Sequence, residues 1–399
     1  MKILILEGTS KLGGAQFDNI LIQRSKSKSL YYHTIVPEEG DLYEKLIKER
    51  RSVEIKPMPK LISTSFFFNN KPILNPFALV NNLINYCRFA IKLSKYIKDN
   101  KYDLVVTNGM NPHFYGGIAA KIACVPVVFR LMDVIRKDML LGFARKAFEF
   151  FSNFVSANII VPSKAVSVAM FSNDFSETKV KVIYNATDLR DFNFESAKPV
   201  LRDEFNIPMD CIVFGCFSRL TPWKGQESFV NAAISLLSKG SKAKFIIVGG
   251  AVFGTDNFLN TLKNRVLNSG FKANIIFTGF RYDMGDCIKS ADVVVVPSIH
   301  PDPCPRVMVE SMAMSKAMIG SDIGGIPEVI SHNSTGLIFN PNDVKSLLDA
   351  FEFFLNHPNQ VRIMGENGFK RQKKLYTLEN YQLEHEDFFK KNEQTKKNN

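Results

Sequence analysis

The stretch SRLTPWKGQE, residues 218–227, sets Arg219 and Lys224 five residues apart around Pro222 and Gly225, directly after an apolar run, CIVFGCF, that reads as a buried strand. Two cations at the carboxyl end of such a strand can hold both phosphates of a diphosphate. Arginine supplies a planar bidentate fork and lysine a compact point charge. A solvated surface turn would carry the same residues, and the single tryptophan, Trp223, fits packing better than chemistry.

A second stretch, SIHPDPCPRVMVESMAMSKAMIGSD, places Asp302 in a proline-rich loop and Glu310 eight residues later. Pro303 and Pro305 favour a helix opening, so the spacing predicts a helix from near Pro305 with Glu310 in its second turn. Two carboxylates there can each grip neutral hydroxyls, as on a sugar and a ribose, while the N–H groups of the helix start face a phosphate. A plain surface position suits Glu310 less well, because Val307, Met308, Val309 and Met312 around it are apolar. In a third stretch, GTSKLGGAQF, Gly13 and Gly14 precede an amphipathic segment and let the backbone approach an anion. Glycine pairs also close many strand-to-helix turns without any ligand. Neither GxGxxG nor a P-loop sequence is present, which removes support for dehydrogenase and P-loop readings.

These residues need elements to position them. KILILE, YHTIVP, SVEIKP, YDLVVTNG, VPVVFRL, ANIIVPS and VKVIYN read as one series of strands. CIVFGCFSRL, AKFIIVGG, ANIIFTG, ADVVVVPS and AMIGSD read as a second. Nearly continuous apolar strands spaced by helix-length segments predict parallel sheets covered on both faces. The polar stretch 188–208 divides the series, so we expect two doubly wound domains, 1–190 and 191–374. A C-terminal helix over 375–392 is expected to pack back onto the first, with 393–399 a disordered tail. In such sheets ligands bind beyond the carboxyl ends of strands, where all three stretches lie.

At 399 residues, 45% hydrophobic and 23% charged, the composition is that of a soluble multidomain protein. The six scattered cysteines show no CxxC and no metal-ligand spacing, and read as reduced thiols of a cytoplasmic protein. The first apolar run is too short for a signal peptide, and Glu7 ends it. Arg145, Lys146 and Glu149 interrupt the longest apolar stretch, so no transmembrane span is expected. A net charge of +12 implies an anionic partner. No nucleic-acid motif appears and the basic residues are dispersed, which disfavours nucleic acid.

Taken in order, RL…KG, DPCPRVMVESMA and SDIGGIPEVI…STGLIF closely resemble the family 4 (group 1) retaining glycosyltransferases of GT-B fold. LEGTSKLGGAQF, CVPVVFR and VIYNATD fit the looser N-terminal half of that family. The resemblance implies two facing Rossmann-like domains with a cleft between them, the first for acceptor and the second for a nucleotide-sugar donor. It implies transfer from a UDP- or GDP-linked sugar to an acceptor hydroxyl, in cell-surface polysaccharide or glycolipid assembly, with no metal and no other cofactor. Arg219 and Lys224 would neutralise the diphosphate, Glu310 would bind the ribose and Asp302 the donor sugar. Arg306 and Val307 would line the donor site, and Gly13 and Gly14 would cover the phosphates.

The sequence departs from the family pattern at several points. Asp302 stands where glutamate is usual, and Cys304 and Pro305 where Phe-Gly is common; Pro305 offers no N–H. Many relatives place a donor-contacting histidine after the fourth strand. The matching position here is Asn108, with His113 five residues on, either reaching the sugar or serving only at a helix start. The resemblance implies a saccharide or lipid-linked saccharide as acceptor. Residues 61–98, rich in Phe, Leu and Lys, and the basic stretch 134–151 can lie on an anionic membrane, on the inner face of the plasma membrane, or can be ordinary core helices. An NDP-sugar epimerase or a binding-only pseudoenzyme on the same fold is the alternative.

Overall fold

The computed structural model describes residues 1–59, 62, 65–68, 71–133, 143–251, 254–341 and 343–395. Two compact units emerge. The first comprises Met1–Pro162, Ser167–Ile183 and Gln382–Asn399; the second comprises Ser163–Val166 and Tyr184–Tyr381.

In the first unit the strands are β1 (Lys2–Glu7), β2 (Tyr31–Val36), β3 (Ser52–Ile55), β4 (Ser65–Phe68), β5 (Lys71–Leu74), β6 (Leu104–Asn108), β7 (Val127–Arg130), β8 (Asn158–Val161) and β9 (Val180–Val182). Seven of them form a parallel sheet in the order β3-β2-β1-β6-β7-β8-β9. The other two, β4 and β5, make a small antiparallel hairpin that the alternation of apolar runs does not predict. The chain builds outward from β1 on one side and from β6 on the other. The gap above these two central strands is the topological switch point, where doubly wound sheets bind ligands.

The second unit holds β10 (Val213–Phe217), β11 (Lys244–Val248), β12 (Ile275–Gly279), β13 (Val293–Val296), β14 (Ala317–Ser321) and β15 (Gly336–Phe339). They form a parallel sheet in the order β12-β11-β10-β13-β14-β15. Five were expected; β15 is a four-residue edge strand. Its switch point lies above β10 and β13. Alternate residues explain the unbroken apolar runs: Phe214 and Phe245 join one core with Phe229 and Phe351, while Val213 and Ile246 join another with Met308 and Met312. Both faces are buried, so neither residue parity can be polar.

The last helix, Leu378–Thr395, continues through the first three residues of the expected disordered tail; 396–399 lie outside the described residues. Within the first unit, Gln382 Nε2 donates to the Leu21 carbonyl at 2.7 Å. Ser27 and Ser29 hydroxyls both donate to Glu386, at 2.8 and 3.0 Å. No described helix is long and apolar enough to cross a membrane.

Candidate functional site

In the second unit the residues after β10 leave the sheet at Ser218 and tighten into a 3-10 turn, Pro222–Lys224. Gly225 then reverses the chain at φ +74° into the helix Gln226–Ser238. Only glycine fits there, because a Cβ would lie 1.7 Å from the Pro297 carbonyl oxygen. That close approach seats the cationic turn on the end of β13. The Ile299 N–H donates to the Trp223 carbonyl at 3.0 Å, joining the two loops by backbone as well.

The side chains complete the join. Lys224 Nζ lies 2.5 Å from Asp302 Oδ2 and 4.2 Å from the centre of the Trp223 ring. The Ser298 hydroxyl donates to the same carboxylate oxygen at 3.0 Å. Asp302 is 4% exposed, so its charge is largely shielded from water and Lys224 is its counter-ion. From β14 the glycine pair secures the loop: Gly325 N–H donates to the Asp302 carbonyl at 2.9 Å. Gly324, at φ +60°, leaves no room for a Cβ against that carbonyl, which would sit 2.3 Å away. Asn185 Nδ2 donates to the Cys304 carbonyl at 2.8 Å.

Arg219 differs from its partner cation. It is exposed, and among the described residues its guanidinium makes no ion pair. The helix Arg306–Ala313 begins one residue after Pro305, and its Glu310 lies 3.3 Å from Arg306 Nε. Arg219, Lys224 and Asp302 therefore gather at the switch point of this sheet, with Arg306, Val307 and Glu310 on the helix that follows β13. The arrangement can bind an anion at Arg219 directly, and at Lys224 by sharing or exchanging its carboxylate partner.

The first unit places its candidates differently. Gly13, in extended backbone (φ −139°, ψ −175°), precedes the helix Gly14–Gln23. Asn108, the last residue of β6, is 1% exposed and fully engaged. Its Nδ2 donates to Glu7 Oε1 at 2.6 Å and its Oδ1 accepts from Arg130 Nη1 at 3.2 Å. His113 is fully buried, stacked on Phe129 at 4.7 Å between ring centres, with Nδ1 2.6 Å from the Thr107 hydroxyl. Burial pulls its pKa down to about 3, so the ring is neutral, and this surrounding is that of a core residue.

The residue that sequence reasoning missed is Glu7. It ends β1 with no exposure and receives amide donors from Asn19 at 2.7 Å, Asn108 at 2.6 Å and Gln16 at 3.2 Å. Burial pushes its pKa up to about 7 against these hydrogen bonds and the Arg130 charge. The signal was a lone carboxylate closing a strand of apolar residues. Among the described residues, no three His, Cys, Asp or Glu side chains come together as a metal site.

Two doubly wound parallel sheets, each with polar side chains at its switch point, give an α/β architecture of GT-B type. The sequence agrees: the family described as Glycosyl transferases group 1 matches residues 197–371, and Glycosyltransferase Family 4 matches residues 63–191. The chain belongs to the group 1, family 4 glycosyltransferases. It is 26% identical over 280 residues to the UDP-Gal:alpha-D-GlcNAc-diphosphoundecaprenol alpha-1,3-galactosyltransferase of Escherichia coli, covering 67% of this chain and 70% of that one. It is 29% identical over 167 residues to the lipopolysaccharide core biosynthesis mannosyltransferase LpsB of Rhizobium meliloti, covering 41% and 47%. The crystal structure of Anabaena Alr3699/HepE in complex with UDP and glucose shares the fold. Its TM-score is 0.80 at 23% identity, over 97% of this chain and 99% of that one.

Proposed function

We propose that the protein transfers a sugar, with retention, from a UDP- or GDP-linked donor to a hydroxyl of a saccharide or lipid-linked saccharide. The observation that carries this reading is the cationic turn at the β10/β13 switch point, with Arg219 open to solvent and Lys224 held on Asp302 at 2.5 Å. Arg219 grips the diphosphate in bidentate fashion, and Lys224 meets the phosphate nearest the breaking bond. Both stabilise charge as the nucleoside diphosphate departs, the largest catalytic effect in many enzymes. In this reading the two cations do what a divalent ion does elsewhere, so transfer proceeds in the presence of a chelator.

Asp302 acquires a second duty beside the sugar contact expected of it. Its Oδ2 holds Lys224 and accepts from Ser298, which leaves Oδ1 for a donor hydroxyl. Glu310 binds the ribose, with Arg306 and Val307 beside it. Gly13 and Gly14 offer backbone N–H groups to the donor phosphates. Asn108 acts indirectly, through Glu7, rather than by touching the sugar.

A lipid-linked acceptor is supported by the name of the Escherichia coli relative and by the surface of the helix Pro76–Asp99 in the first unit. Phe77, Val80, Leu83 and Ile91 on it are 78, 58, 60 and 59% exposed. Arg88, Lys92, Lys95 and Lys98, also exposed, lie on the same helix, in its C-terminal half, with Asp99 its one acidic residue. An apolar stripe continued by cations suits an anionic lipid surface. Of the basic stretch 134–151, residues 134–142 lie outside the described residues.

The test is incubation with a panel of UDP- and GDP-sugars, following nucleoside diphosphate release with and without polyprenyl-diphosphate-linked acceptors. Release with transfer supports the proposal. An isomerised donor would make the protein an epimerase, and binding without turnover would make it a pseudoenzyme.

A further inference from the structure

The Glu7 cluster was given no direct contact with the donor above, yet it occupies the switch point of the first sheet. Its carboxylate collects side chains from three elements. Gln16 and Asn19 come from the helix Gly14–Gln23, and Asn108 comes from the end of β6. A second rank supports these: Arg130 of β7 donates to Asn108 Oδ1, and Gln23 donates to Asn19 Oδ1 at 2.9 Å. Gln23 Nε2 also reaches the Thr34 hydroxyl on β2 at 2.9 Å. The charged and titratable groups bearing on the cluster are the Arg130 guanidinium and, from the helix Met110–Ala123, the buried Tyr115 phenol, which donates to Met58 Sδ.

A carboxylate is a poor choice if the cluster only holds the fold. Glutamine would keep the same shape: its oxygen would accept from Asn19 and Asn108, and a flipped Gln16 amide would accept from its nitrogen. That arrangement would satisfy the same partners without burying a charge. The charge is therefore kept for something other than packing.

We propose that Glu7 is a positioning residue for the transfer reaction, its carboxylate locking the first turn of the Gly14 helix to the end of β6 so that Gly13 and Gly14 present their N–H groups to the donor phosphates in one fixed geometry. This rests on the donor role proposed for that turn. When ionised, Glu7 accepts all three amide donors. Protonation removes one acceptor site, and the turn then loses part of its hold. Because burial raises the pKa of this group to about 7, the hold changes across neutral pH.

The experiment is calorimetry of UDP and GDP binding to the full chain from pH 6 to 8.5, for wild type, Glu7→Gln and Gln16→Leu. The nucleotide's own titration is common to all and cancels in ratios. The expected result is a wild-type affinity that weakens several-fold relative to Glu7→Gln as pH falls below about 7. Gln16→Leu, which leaves the buried carboxylate in place but takes one donor from it, should weaken binding several-fold above pH 7 with an unchanged circular dichroism spectrum. If Glu7→Gln does not fold, Gln16→Leu alone decides. A constant ratio for Glu7→Gln together with wild-type binding by Gln16→Leu would overturn the proposal. Arg219→Ala, measured alongside, separates the two readings. If it binds UDP and GDP as wild type does, the donor assignment fails; if it loses them while the Glu7 and Gln16 variants stay normal, only the role of Glu7 fails.

Discussion

The two switch points are opposites in charge and exposure. Above β10 and β13 the chain sets an exposed arginine and a lysine tethered to one carboxylate, so positive charge is open to solvent. Above β1 and β6 it sets a buried glutamate ringed by amides, with arginine one step behind. The same doubly wound design thus serves two ends. Under the roles proposed for them, the second unit's switch point binds an anion and the first unit's orders the backbone of its own Gly13–Gly14 turn. A cation that must meet a phosphate is best left accessible, whereas a residue that orders a turn works through fully desolvated hydrogen bonds.

The largest expected effect would break the second half of that contrast. Arg219→Ala and Lys224→Ala should each lower turnover by roughly two to three orders of magnitude. The circular dichroism spectrum should hold in both, but only Arg219→Ala should keep the melting midpoint, because Lys224→Ala strips the buried Asp302 of its counter-ion. Near-normal turnover in both would mean that the exposed cations are surface charge and nothing more. EDTA should leave turnover intact; loss in chelator with recovery on Mn²⁺ would show that the two cations do not suffice.

Next comes the first half. A carboxyl whose folded pKa is raised from 4.5 to about 7 binds more protons folded than unfolded across that interval. Its favourable contribution is therefore fully present below pH 4.5 and is lost as pH rises through 7. Glu7→Gln has no such titration. The variant should match wild type near pH 4.5 and exceed it by on the order of 3 kcal/mol at pH 8, read from urea melts. A difference that does not change with pH would place Glu7 in a wetter setting than the one described.

How much of this was open to sequence reading depends on how far apart the partners lie. Arg219 and Lys224 announce themselves because they share one turn after one strand, and Asp302 and Glu310 because a proline-led helix fixes their spacing. That Lys224 and Asp302 touch was not legible. The contact joins residues 78 apart and exists because β10 pairs with β13, a strand order that apolar runs do not encode. Glu7 escaped for the same reason, since three of its partners come from other elements. His113 misled in the opposite direction: a histidine near the right position turned out to be stacked inside the core on Phe129. Among the strands, β15 was short enough to pass as part of a motif.

The Lys224–Asp302 pair gives a smaller effect that sharpens the comparison. If Asp302 both tethers Lys224 and meets the sugar, Asp302→Ala should lower transfer yet keep or raise affinity for free UDP or GDP, because it removes a competing anion from Lys224. In a double-mutant cycle on stability, Lys224→Ala and Asp302→Ala should couple by about 1.5–3 kcal/mol, the range for a hydrogen bond to a charged group. Asp302→Glu, which lengthens the arm, should keep activity. If Asp302→Glu is inactive while Asp302→Ala is unaffected, the carboxylate is not a donor ligand.

The smallest effect per residue concerns the outer surface of the first unit. Its Pro76–Asp99 helix exposes Phe77, Val80, Leu83 and Ile91 together with four cations, Arg88, Lys92, Lys95 and Lys98, whereas the helix Gln226–Ser238 of the second unit turns Phe229, Val230 and Leu236 into its core. If the first helix rests on anionic lipid, vesicles containing phosphatidylglycerol should sediment the protein at low salt and release much of it at high salt, since exposed charges are screened within about 8–10 Å. Each of Arg88, Lys92 and Lys95 changed to Gln should weaken binding by about 1 kcal/mol, roughly fivefold. Changing Phe77 and Leu83 together to Ser should weaken binding to neutral and acidic vesicles alike, because that part of the attraction is apolar burial and indifferent to salt. The two sets separate charge from burial on one helix. Equal sedimentation with neutral and acidic vesicles would remove the lysines from the argument, and wild-type sedimentation by the double Ser variant would remove the helix. In either case the chemistry at the switch points would have to be reached by acceptors arriving from solution.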